Sequence, residues 1–194
     1  MEINEIKSCI EVYQDFITHC TKENFSELFE NSDYCNFDGD SFKSFSNENL
    51  YLFLGMKDSK LIGFLVNETI DYTEWTEETQ VFESKFVAFD TVSYNEFKEY
   101  YLKKTKANSS CAIDSSEAFV RIEDWSANKY NWFSNQIESK TLVKYFEIPT
   151  EDYANGHANS FNFGLLDSRI DIVVGTPAGL YDTSRPVPPF DPLF

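Results

Sequence analysis

The chain has 194 residues, 42% of them hydrophobic and 17% aromatic, with 33 acidic against 16 basic residues and a formal charge of −17. That length suits one domain, which buries roughly 70% of its unfolded surface and folds without disulfides or metal. The charge argues against direct grip on nucleic acid or on an anionic membrane, where Lys and Arg must neutralise phosphate.

In chain order, residues 2–20 carry Ile3, Ile6, Ile10, Tyr13, Phe16, Ile17 and Cys20 at three- and four-residue steps, which predicts an amphipathic helix. Glu2 and Glu5 suit the positive end of its dipole. A second helix is expected over Lys22–Glu30, with Phe25, Leu28 and Phe29 inward. Residues 31–49 are rich in Asn, Ser and Asp and read as a long loop, completing a helical N-terminal part over 1–48. Two apolar runs, Leu50–Leu54 and Leu61–Val66, flank Lys57-Asp-Ser-Lys60 and predict a hairpin central in a sheet. A third strand is expected within Thr79–Phe89.

Ser93 and Glu96 match a capping box for a helix running to about Lys106. Asp114 or Ser115 can cap the next helix, with Phe119, Ile122, Trp125, Trp132, Phe133 and Ile137 inward, although Glu117–Trp125 also reads as a strand. Further strands are expected at Thr141–Ile148, Phe161–Leu166 and Arg169–Val174. The tail 183–194 holds four of the six prolines and favours extended polyproline geometry. The expected architecture is a single α+β domain over 1–194: a mainly antiparallel sheet, with N-terminal helices and helices packed on one face.

No motif for chemistry stands out. His19 and His157 are the only histidines; His19 falls near a helix end, and His157 lies in the turn-like Asn155-Gly-His-Ala-Asn159, with Glu151, Asp152 and Ser160 nearby. Cys9, Cys20, Cys35 and Cys111 have no zinc or redox spacing and read as free thiols. Asp38-Gly-Asp40 fails the calcium-loop pattern and reads as a turn. Gly175-Thr-Pro-Ala-Gly179 lacks the lysine of a phosphate loop and reads as a strand-exit turn. No cofactor or metal is expected. The start Met-Glu-Ile-Asn-Glu lacks a signal-peptide pattern, and no run approaches ~18 apolar residues, so the expected compartment is the cytoplasm.

The charge is uneven: residues 1–84 hold 18 acids and 5 bases. Two stretches contain six acids each and no base. One includes Glu23, Glu27, Glu30, Asp33, Asp38 and Asp40; the other includes Glu68, Asp71, Glu74, Glu77, Glu78 and Glu83, with Trp75 among them. Solvated faces are the plain reading of such runs. An aromatic anchor inside an acidic rim is also what a binder of a basic protein presents. In size, charge and want of catalytic motif the chain resembles immunity-type inhibitors of basic partners such as toxin nucleases. The alternatives are an enzyme of unrecognised family with a small-molecule or glycan cleft lined by Trp125, Tyr130 and Trp132, and a nucleic-acid mimic that blocks a host defence factor.

Overall fold

The computed structural model describes residues 1–38, 45, 49–67, 71–107, 109–139, 142–153, 160–182 and 184–187. Helix α1 spans Ile3–His19 and α2 spans Lys22–Glu30, followed by strands β1 (Tyr34–Asn36), β2 (Leu50–Lys57), β3 (Lys60–Val66) and β4 (Phe82–Lys85). Then come α3 (Thr91–Leu102), β5 (Ala112–Ile113), α4 (Ser115–Ser139) and β6 (Tyr145–Ile148). Strands β7 (Ser160–Leu166), β8 (Arg169–Gly175), β9 (Leu180–Tyr181) and β10 (Arg185–Val187) close the order. None of these helices is long and apolar enough to cross a membrane.

The α+β class and the antiparallel pairing are as expected, but the strands form two five-stranded sheets. Sheet one runs β1-β7-β8-β9-β5 and sheet two runs β10-β6-β2-β3-β4. Helices lie outside both sheets, where one covered face was expected. The reason is in the hairpin: alternate side chains of a strand point to opposite faces, and both faces of β2 and β3 are apolar. Leu50, Leu52, Leu54, Leu61 and Leu65 face sheet one's Phe161, Phe163, Leu165, Ile170 and Ile172. Phe53, Ile62, Phe64 and Val66 point outward under Ile3, Ile6, Cys9 and Ile10 of α1. On the far side, Ala118, Phe119 and Ile122 of α4 cover Val173 and Leu180 of sheet one, with α3 beside them. The layers are α1, sheet two, sheet one, and α3 with α4. At one end α2 and the second half of α4 fill the gap, Phe29 and Trp125 lying 5.7 and 5.0 Å from the Phe163 ring.

The α1 layer sits close because β2 has a glycine beneath it. A Cβ at Gly55 would lie 2.5 Å from a Phe64 ring carbon and 3.2 Å from the Cys9 carbonyl carbon. Gly55→Ala is therefore expected to destabilise by about 1–3 kcal/mol through overpacking, read as a lowered midpoint in urea. An unchanged midpoint means the helix rides higher than described.

Several local expectations need correction. Tyr34–Asn36, inside the stretch read as loop, is strand β1, pairing with β7 on one side. On its other side it bridges Val87, just past β4. Helix α3 starts at Thr91, two residues ahead of Ser93, because Asp90 is an N-cap: its carboxylate accepts from Val92 N at 2.8 Å and Ser93 N at 2.9 Å. It ends at Leu102, short of Lys106. Residues 117–125 are helical, not strand. The sixth strand covers only Tyr145–Ile148 of the longer run, and the third covers only Phe82–Lys85. Within the Pro-rich tail, Arg185–Val187 is an edge strand on β6; Thr183 and residues 188–194 lie outside the described residues.

Candidate interaction surface

The second acidic run is a coil held against α1. Trp75 anchors it from below: its ring packs edge-on to Phe53 at 5.0 Å and is 3% exposed. From the side, Lys7 Nζ donates to Thr73 O at 2.8 Å. Within the coil, Asp71 Oδ1 accepts from Thr73 N at 3.0 Å and from the Thr73 hydroxyl at 2.6 Å. Those two bonds hold the Asp71 carboxyl below the usual carboxylate range, the side-chain bond foremost. Thr76 and Thr79 close the following turn, with Thr79 N donating to Thr76 O at 2.9 Å and Thr76 N to the Thr79 hydroxyl at 3.0 Å.

This framework turns Glu74, Glu77 and Glu78 to solvent, and none of the three makes an ion pair among the described residues. Helix α1 adds Glu11, whose charge together with Asp71 reinforces what burial does first to Tyr72, pushing its phenol up. Acids from two separate segments thus converge around Tyr72. Toward the start of α1 the field is neutralised: the N-terminal amine meets Glu83 at 3.1 Å and Lys57 pairs with Glu5. Exposed pairs like these contribute little stability but cancel charge locally.

The first run goes elsewhere. Glu23 is in the first turn of α2, Glu30 and Asp38 are exposed, and Glu27 lines a groove with Lys60 and Lys85. Asp33 is buried, paired with Lys129 Nζ at 3.1 Å. Burial removes Asp33 and Trp75 from any contact surface; both instead hold the scaffold. Asp40 and Glu68 lie outside the described residues. The two runs do not merge, because Lys60 and Lys85 stand between them at the β2–β3 turn and the end of β4.

Other candidates resolve as packing. Trp125 and Trp132 are core side chains with rings 5.9 Å apart and do not line a cleft; Tyr130 is at the surface. His19 is exposed, with Nδ1 3.0 Å from Asp15 O one helical turn back. His157 lies outside the described residues. The four cysteines are unbridged, Cys9 and Cys35 in the core. Thr176 to Gly179 is a turn between β8 and β9, the Thr176 hydroxyl accepting from Ala178 N at 3.0 Å and Gly179 N at 3.2 Å. Among the described residues, no group of three His, Cys, Asp or Glu side chains is placed to hold a metal ion.

The fold and this face define a four-layer, antiparallel α+β protein with a rigid, carboxylate-bearing outer coil. Comparison with protein-family models, with curated proteins and with solved structures finds no match.

Proposed function

We propose that the protein is an acidic inhibitor of the immunity type, which neutralises a basic protein partner, such as a toxin nuclease, by covering its active surface. The observation that carries this reading is the coil bearing Glu74, Glu77 and Glu78. Three unpaired carboxylates are fixed in place by Trp75, Lys7 and Asp71, so little ordering is lost when a partner docks. Glu11 and Asp71 extend the same field onto α1. Complementary charge accelerates encounter, to ~10⁸–10⁹ M⁻¹s⁻¹ at low salt in favourable cases. The ammonium groups of Lys7, Lys57, Lys60 and Lys85 interrupt the acidic surface, which favours a protein partner over mimicry of a regular phosphate backbone.

The test starts from affinity capture in the native host, comparing wild type with the Glu74→Lys, Glu77→Lys, Glu78→Lys variant. The partner retained only by wild type is then followed by stopped flow. The variant is expected to associate roughly 10- to 100-fold more slowly at low salt, with a flatter salt dependence, and to lose inhibition of the partner's activity. Unaltered association with a partner that wild type inhibits makes the coil a bystander and defeats the reading.

A further inference from the structure

At the opposite corner from Glu74, the chain leaves positive charge uncompensated. Lys57 and Lys60 stand directly opposite each other across the hairpin end, and Lys85 stands opposite Ile62 on the neighbouring strand. The two residues between the lysines, Asp58 and Ser59, take φ of 50° and 57°, the left-handed geometry of a tight hairpin turn. Like charges directly opposite across strands repel. Glu5 relieves Lys57, and Glu83 is taken by the N-terminal amine. Lys60 and Lys85 have no ion-pair partner among the described residues, in a chain with twice as many acids as bases.

Both ammonium groups border two adjoining grooves of about 420 Å³ each. One groove lies toward the start of α1 and is lined by Met1, Asp58, Ile62 and Glu83. The other lies against α2, with Leu28, Leu61, Phe86 and Val87 as its apolar side and Glu27, Asn31 and Ser59 as polar lining. Val87 is 43% exposed there. A single small anion would use the two lysines and leave this apolar length untouched. Glu27 on one side and Glu83 on the other confine favourable sites for negative charge to the stretch between them.

We infer that this paired groove binds an extended, carboxylate-bearing peptide segment, its acidic side chains on Lys60 and Lys85 and an apolar side chain between them on Val87 and Phe86. The inference stands apart from the inhibitor reading, since it uses neither Glu74, Glu77 nor Glu78. The probe is the peptide acetyl-Ala-Glu-Val-Glu-Val-Glu-amide, titrated into the ¹⁵N-labelled full chain at low ionic strength, where exposed charges are least screened. Expected are amide shifts at Ser59, Lys60, Lys85 and Val87 that saturate with a Kd below about 1 mM. They should vanish in a Lys60→Ser, Lys85→Ser variant whose spectrum and melting temperature match wild type, and persist in a Lys103→Ser, Lys106→Ser control. Absence of saturation overturns the proposal, as does equal binding of the Gln-for-Glu peptide. Inorganic phosphate reproducing the same shifts with the same saturation also overturns it, reducing the corner to a bare anion site.

Discussion

Lys129→Met is expected to destabilise the protein by about 3–5 kcal/mol, because it strands a buried carboxylate. Lys129 is 5% exposed and Asp33 is 7% exposed. The ammonium group donates to Asp33 Oδ1 at 3.1 Å and also to Phe29 O at 3.1 Å and Glu30 O at 3.4 Å, so it caps the end of α2 as well. Asp33 in turn joins three elements. Its Oδ2 accepts from Phe89 N at 3.1 Å, its backbone N donates to Val87 O at 2.9 Å, and its carbonyl accepts from Phe163 N at 2.9 Å. This is the seam where β1 ties sheet one to the segment leaving β4. For a chain of this size, each kcal/mol moves Tm by about 2–4 °C, so the loss is readable by calorimetry or urea unfolding. The double variant Lys129→Met, Asp33→Asn should recover much of it, since Asn still accepts from Phe89 N without a buried charge; such recovery marks true coupling. A single-variant loss below about 1 kcal/mol would mean the pair is solvated, as an exposed bridge is.

Asp33 also shows where sequence reading stops. Along the chain it is indistinguishable from Glu27, Glu30 and Asp38, and a base-free run makes it look like surface. Its burial is decided by Lys129, 96 residues away. Trp75 repeats the lesson: flanked by Glu74 and Glu77, it reads as an anchor offered to a partner, yet Phe53 claims its ring. The Lys60–Lys85 corner was invisible for the same reason, because neither lysine has a cationic neighbour in sequence near enough to flag it. What was legible is what repeats locally. The three- and four-residue steps of α1 and α4 placed their buried stripes, and the apolar arms around Lys57-Asp-Ser-Lys60 placed the β2–β3 hairpin. The division of strands into two sheets was not legible, because a strand apolar on both faces states that it is covered without stating by what. Strand β1, three residues long, has too little pattern to stand out from the polar stretch around it.

The second large effect is expected at Arg121, and pH should grade it. Its guanidinium is 6% exposed as a residue and meets three carboxylates. Nη1 contacts Asp171 at 3.3 Å and also Asp182, and Nη2 contacts Glu117 at 2.6 Å. Asp171 Oδ1 accepts further from the Ser184 hydroxyl at 2.7 Å and Ile172 N at 2.8 Å, fastening the segment that leads into β10 onto sheet one. Burial raises the Asp171 carboxyl above its ordinary value, against the opposing pull of Ser184, Ile172 N and Arg121. Arg121→Met removes that pull and leaves Asp171 and Asp182 facing each other without a cation. The expected loss near pH 7 is about 3–5 kcal/mol. A carboxyl whose folded pKa is raised holds more protons folded than unfolded, so the stability it brings is fully present below the unfolded value and is lost as pH rises through the folded one. The gap between wild type and Arg121→Met should therefore be narrow near pH 4 and widen toward neutrality, and Asp171→Asn in the Arg121→Met background should narrow it again at pH 7. Urea midpoints for the three proteins across that range provide the measurement. A gap that stays constant with pH would mean Arg121 holds the strands by its aliphatic packing over Gly164, where its Cβ lies 3.3 Å from the position a glycine side chain would take, and not by its charge.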